Sequence, residues 1–202
     1  MSISFLLTSL VIVATPGTGA LYTVAAGLAR GTRAALVAAL GCTLGIVPHL
    51  IAAITGLAAL LNASATAFQT VKYAGVAYLL YMAWATLRDK GALTVEEDAP
   101  EVPALKVITK GVAINLLNPK LTLFFFAFLP QFVHTDRAGA WLPMVELSAV
   151  FMALTFVVFA LYGRFAAAFR THIATRPGVA TTLRRTFATA FAALAGLLAY
   201  EA

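Results

Sequence analysis

The chain has 202 residues, 61% of them hydrophobic and 11% charged, with a mean hydropathy of +0.91. A soluble domain carries roughly 25% charged and about 45–50% apolar residues, so this composition excludes one and specifies an integral membrane protein. The formal net charge of +6 comes from basic residues lying between apolar runs, where they orient a chain in a bilayer; no aromatic–basic interleaving supports nucleic-acid binding.

In chain order, six apolar segments run from about Ile3 to Ala29, Ala34 to Leu61, Ala67 to Leu87, Val107 to Val133, Trp141 to Gly163 and Leu183 to Tyr200. Each meets or approaches the ~20 residues that span a bilayer, and open sheet edges do not survive in lipid, so the expected fold is all-α with six transmembrane helices. The first segment lacks a basic leading region and continues past Ala14 to about Leu28, so it reads as a retained span rather than a cleaved signal.

The first, third and fifth connections hold Arg30, Arg33, Arg88, Lys90, Lys106, Arg164, Arg170, Arg176, Arg184 and Arg185; the second and fourth hold only Arg137. The positive-inside rule places the odd connections in the cytoplasm and both termini outside. Residues 88–106, with Glu96-Glu97-Asp98 and two prolines, read as a solvated cytoplasmic linker between half 1 (about 1–87) and half 2 (about 107–202) of one transmembrane domain. Trp84 and Trp141 fall near span ends, where aromatic belts account for them.

Two spans are interrupted. The first contains Ala14-Thr15-Pro16-Gly17-Thr18-Gly19 and the fourth Asn115-Leu116-Leu117-Asn118-Pro119-Lys120. Each proline comes about thirteen residues into its span. Each removes a backbone donor and frees the carbonyl four residues earlier, those of Ile12 and Asn115. Three spans precede the fourth, so the second half enters the membrane inverted. Two inverted three-helix repeats, each opening on a broken helix, point to a transport site near the bilayer midplane.

Lys120 lies ~20 Å into a ~30 Å hydrocarbon core, beyond comfortable snorkelling, and needs an internal partner: a freed carbonyl, a carboxylate or a substrate. Asn115 and Asn118 share a helix face, whereas Lys120 falls opposite Asn118 on an ideal helix. The three converge only if Pro119 unwinds the turn. The candidate substrate-binding residues are Thr15, Pro16, Gly17, Asn115, Asn118, Pro119 and Lys120. A plainer reading gives the asparagines to backbone opened by the proline. Thr8, Thr15, Thr18 and Tyr22 form a polar stripe that lines a pathway or bonds its own helix. Gly27-x-x-x-Gly31 and Gly41-x-x-x-Gly45 read as close-packing motifs.

His49, after Pro48, and Glu146, just inside Trp141, are the candidates for proton coupling; a packed neutral histidine and an interfacial carboxylate are their plainer readings. Cys42 is the sole cysteine and reads as a small core residue. The spans lack the clustered carboxylates, histidines or thiols of a metal site, and no HExxH, GxSxG or ATP-binding loop is present. An enzyme, a cofactor and direct ATP drive are therefore not expected. A carrier of another solute or cation, and a non-transporting scaffold, are the rival readings.

The chain resembles the LysE/RhtB family of bacterial amino-acid exporters over essentially its whole length. The resemblance rests on Gly111-x-x-x-Asn115-Leu116-Leu117-Asn118-Pro119-Lys120, on Phe124-Phe125-Phe126-Ala127-Phe128-Leu129-Pro130-Gln131-Phe132-Val133 after it, and on Thr15-Pro16-Gly17. Arg30-Gly31-x-Arg33-Ala34-Ala35, Gly41-x-x-x-Gly45 and Lys72-x-x-Gly75-x-x-Tyr78-Leu79 are also similar. It implies an inner-membrane exporter of amino acids or close analogues, driven by proton antiport and working as a homo-oligomer. The family usually continues Pro-Gly-Pro and then Asp or Asn; here those positions are Thr18 and Gly19, which leaves room for a different specificity or coupling.

Overall fold

The computed structural model describes residues 2–15, 17–63, 102–133 and 141–169, with scattered positions between 70 and 88 and between 181 and 199. Among the described residues every regular element is helical. The elements are α1 (Ile3–Ala14), α2 (Thr18–Leu44), α3 (Val47–Ala63), α4 (Ala104–Leu116), α5 (Pro119–Leu123) and α6 (Trp141–Ala168). A π-helical turn (Phe124–Phe128) and a 3-10 turn (Leu129–Phe132) follow α5. The stretches Thr18–Gly56 and Trp141–Ala168 are long and apolar enough to cross a membrane. So is the pair Ala104–Leu116 and Lys120–Phe132 taken as one span bent by 60°.

The first expected span is two helices, as the Pro16 interruption requires: α1 stops at Ala14 and α2 starts at Thr18. The expected Arg30–Arg33 connection narrows to one residue. Gly31 alone leaves helical geometry, at φ 79° and ψ −173°, a region essentially open only to glycine. A Cβ on Gly31 would meet nothing within 4 Å, so this glycine serves the turn and not packing, which corrects half of the Gly27-x-x-x-Gly31 reading.

The expected second span is also broken. The helix lapses at Gly45–Ile46, where the Ile46 amide donates to the Thr43 carbonyl at 3.1 Å. α3 then carries Pro48 in its first turn, where a missing donor costs nothing. This break sets the position of His49. The fourth expected span starts at Ala104, inside the stretch read as linker. The spans expected at Ala67–Leu87 and Leu183–Tyr200 lie largely outside the described residues, as do residues 89–101, 134–140 and 170–180.

α2 is the central element, packed against α4 and α6 through glycines. A Cβ on Gly27 would run into the Gly163 carbonyl of α6. A Cβ on Gly41 would lie 2.6 Å from the Ile108 carbonyl oxygen, and one on Gly45 would lie 2.9 Å from that of Val112. One on Gly111 would lie 2.9 Å from the Cys42 amide nitrogen. Gly41 of α2, and Gly45 just past its end, thus let the chain lie directly against α4 around Ile108, Gly111, Val112 and Asn115. The phenylalanine block closes the other side. Phe124 stacks on Phe151 of α6 at 4.0 Å between centroids, and Phe125 stacks on His49 at 6.2 Å.

Candidate functional site

At the first break, Thr15 precedes a proline and is driven to extended geometry, φ −71° and ψ 111°, which ends α1. Pro16 itself lies outside the described residues. Gly17 is the N-cap of α2 and offers no side-chain cap. The last carbonyls of α1 therefore need other donors, because unpaired carbonyls in a buried, apolar setting are costly. The Val11 oxygen accepts from the Thr15 amide at 2.9 Å and from Thr15 Oγ1 at 2.7 Å. The Ala14 oxygen accepts from Tyr162 Oη of α6 at 2.6 Å. The Ile12 and Thr15 oxygens both accept from Lys120 Nζ, at 3.0 and 2.6 Å.

At the second break the chain leaves the helix at Leu117 and Asn118, and Asn118 is extended at φ −84° and ψ 105°. Pro119 then occupies the first turn of α5, a position pre-set for it. Asn118 caps that turn, its Oδ1 accepting from the Lys120 amide at 3.1 Å, while its Nδ2 donates to Asn115 Oδ1 at 3.3 Å. Asn115 Nδ2 donates to the Cys42 carbonyl of α2 at 2.7 Å. The carbonyl of Asn115, whose helical donor Pro119 removes, accepts from the Asn118 amide at 3.0 Å and lies 2.9 Å from His49 Nε2. A carbonyl only accepts, so Nε2 is the protonated nitrogen. Nδ1 is then the acceptor facing Thr122 Oγ1 at 3.4 Å.

The two breaks are thus cross-capped. The carbonyl freed in half 1 is bonded by a side chain of half 2, Lys120, and the carbonyl freed in half 2 by a side chain of half 1, His49. Unwinding at Asn118 brings Asn115, Asn118 and Lys120 together, which an unbroken helix could not do. Two glycines make the room. A Cβ on Gly17 would sit 3.4 Å from Asn118 Nδ2 and from Cε and Nζ of Lys120, and one on Gly19 would overlap the Asn115 side-chain oxygen.

Lys120 is 4% exposed. Its ammonium has three donors, and the two carbonyls take two of them. Among the described residues the single carboxylate is Glu146. It lines a cleft of about 340 Å³ with Ser2, Phe5 and Phe132, at the far end of α1 from the lysine. A second cleft, of about 270 Å³, is lined by Arg30, Arg33, Val37 and Val107, at the other end of the first broken span. Two clefts of unlike charge thus lie to either side of a closed polar centre.

Of the residues singled out from sequence, Thr15, Gly17, Asn115, Asn118 and Lys120 meet here. Pro119 shapes the second break through its backbone, His49 joins as a cap, and Glu146 stays apart. The threonine stripe does not survive the break: the Thr15 hydroxyl bonds its own helix, Thr18 is exposed, and Tyr22 Oη donates to the Val107 carbonyl at 3.0 Å. Thr15 contributes its carbonyl instead. Tyr162, the Cys42 carbonyl and the steric role of Gly19 had no signal in the linear sequence.

Residues 10–202 match the LysE type translocator family. An uncharacterized membrane protein of Vibrio cholerae is 32% identical over 197 residues, 98% of this chain and 95% of its own. The homoserine/homoserine lactone efflux protein of Salmonella typhimurium is 31% identical over 134 residues, 66% of this chain and 65% of its own. The leucine efflux protein of Klebsiella pneumoniae is 28% identical over 138 residues, 66% of this chain and 64% of its own. No solved structure matches the chain significantly.

Proposed function

Because the chain belongs to the LysE-type translocator family, we propose that it exports amino acids or close analogues from the cytoplasm as a secondary transporter. The observation that carries this reading is the meeting of two broken helices at a buried cluster of freed carbonyls, two asparagines and Lys120. An amino acid is a zwitterion. Its carboxylate needs donors, which Lys120 and the uncapped start of α2 beside it supply. Its ammonium needs acceptors, which the Ile12 and Thr15 carbonyls and the asparagine side chains supply. The names of the efflux relatives favour small, uncharged side chains of the homoserine and leucine kind.

The same reading includes six spans in two inverted repeats, alternating access around this centre, and proton antiport. It sets the protein in the bacterial inner membrane with both termini on the periplasmic side, as a homo-oligomer. His49 and Glu146 are its candidate proton carriers. His49 touches the centre directly, and Glu146 sits in the cleft expected to open outward.

The test is efflux from cells loaded with a panel of labelled amino acids, leucine and homoserine among them, comparing wild type with Lys120→Ala, with and without a proton uncoupler. Selective efflux that falls with the uncoupler, and by about tenfold or more with Lys120→Ala, is the expected result. Uncoupler-sensitive efflux unchanged by Lys120→Ala would move the site elsewhere. No efflux of any amino acid by protein shown to be in the membrane would overturn the reading.

A further inference from the structure

Lys120 is held in an unusual way. Its ammonium lies in a site 4% exposed, yet what it bonds is two backbone carbonyls and no carboxylate among the described residues. Its third N–H has no partner among those residues. A buried cation is normally paired with an anion, because neutral acceptors replace only part of its hydration. Two oxygens set at 3.0 and 2.6 Å from one nitrogen are, on the other hand, what any primary ammonium requires. The oxygens belong to half 1 and the lysine to half 2, so the contact also ties the two halves together.

From this juxtaposition we infer that the Ile12 and Thr15 carbonyls are the ammonium subsite of the transported amino acid, and that Lys120 fills this subsite as a tethered stand-in until the substrate displaces it. The inference rests on the proposed amino-acid export and adds the order of events. The substrate carboxylate pairs with the ammonium of Lys120 and draws it off the two carbonyls. The substrate ammonium then takes the oxygens that the lysine leaves. One cation replaces another on the same acceptors, the carboxylate neutralises the one displaced, and the net charge of the centre stays at +1.

The exchange needs both ends of a zwitterion. A carboxylate alone would pull the lysine away and strand two buried carbonyls. An amine alone would have to expel Lys120 with no anion to receive it. Buried polar groups left unpaired are what lets a site reject an analogue lacking one functional group. Withdrawal of Lys120 from α1 also removes a tie between the halves, so only a zwitterion releases the closed centre. Gly17 keeps the space beside the ammonium open, because the position of its absent Cβ lies 3.4 Å from Nζ.

The test uses the purified full chain in nanodiscs and measures binding by calorimetry. Lys120→Ala removes a propylammonium's worth of side chain. Propylamine should therefore bind Lys120→Ala at least about tenfold more tightly than it binds wild type or Lys120→Met, whose side chain refills the space. Wild type should bind leucine at least about tenfold more tightly than 3-methylbutylamine or 4-methylpentanoate, and Lys120→Ala should lose its preference for leucine over the amine. Propylamine bound alike by all three proteins, or a leucine preference kept intact without Lys120, would overturn the inference. If propylamine discriminates but leucine does not bind, the ammonium subsite stands and amino-acid export is what fails. If Lys120→Ala does not fold, equal binding of leucine and 3-methylbutylamine to wild type overturns the inference, and a leucine preference lost in Lys120→Met upholds it.

Discussion

At the first break the chain presents backbone and almost no side chain: two bare carbonyls, a glycine N-cap, and a threonine whose hydroxyl is turned back on its own helix. At the second break it presents side chains, with Asn115, Asn118 and Lys120 reaching outward from a turn that Asn118 itself caps. Both interruptions fall where the sequence has a proline within an apolar run, yet one forms a socket and the other fills it. The difference teaches that two proline breaks need not carry the same chemistry. A proline guarantees a freed carbonyl on each side, and the residues around it decide whether that side gives or receives. His49 adds a donor to the carbonyl of Asn115, but it comes from a third break, at Gly45–Ile46.

Four single substitutions, two of them with a companion change, would break or sharpen this contrast. The largest effect is expected from Gly19→Ala, which forces a methyl group into the Asn115 amide. Asn115 cannot swing aside freely, because its Nδ2 is bonded to the Cys42 carbonyl and its Cβ lies against Gly45. We expect a loss of about 2–3 kcal/mol in unfolding free energy and little residual efflux. Asn115→Ala in the same chain should return part of the stability but not the efflux. Full stability in Gly19→Ala would show that the socket is looser than described.

Next comes His49→Ala, which leaves the Asn115 carbonyl with one donor fewer in a buried place and should cost about 1–3 kcal/mol. His49→Gln supplies an amide donor in place of the ring and should recover much of that in thermal unfolding. Whether it also keeps uncoupler-sensitive efflux separates a cap from a proton carrier. Tyr162→Phe removes the hydroxyl from the Ala14 carbonyl and should cost about 1 kcal/mol, with a modest fall in efflux. Lys120 still bonds the Ile12 and Thr15 carbonyls in that variant, so a collapse of transport would mean that Tyr162 shares the lysine's task. The smallest structural effect belongs to Glu146→Gln, an exposed residue whose loss should change stability by less than about 0.5 kcal/mol. Stable protein that loses only its dependence on the proton gradient would assign the coupling carboxylate to the cleft beside Ser2 and Phe5.

Much of the centre was legible in the residues. Pro16 and Pro119 announced both breaks and named the Ile12 and Asn115 carbonyls as the groups set free, because a missing backbone donor is a local fact. The depth of Lys120 in an apolar run required an internal partner and put freed carbonyls among the choices. Composition and span length made the chain a membrane protein, because lipid leaves the backbone no solvent partner. Of the two readings of the threonine stripe, the Thr15 hydroxyl takes the local one and bonds its own helix at Val11, and the shared face ends there because helical spacing aligns side chains only while the helix continues.

Which carbonyl met which donor was settled only in three dimensions. Lys120 reaches Ile12 and Thr15 across more than a hundred residues of chain, and Tyr162 reaches Ala14 across 148. Nothing local in either stretch encodes the other. Glycine contacts let α2 lie against α4 and α6, and the close approach at Gly27, Gly41, Gly45 and Gly111 fixes which side chains can touch. The sequence by itself determined that each proline would take the helical donor away from one carbonyl, that of Ile12 and that of Asn115. The tertiary structure decided, through those backbone contacts, that the Ile12 carbonyl would take Lys120 as its donor and that the Asn115 carbonyl would gain His49 beside the Asn118 amide, because packing brings the two opened turns together.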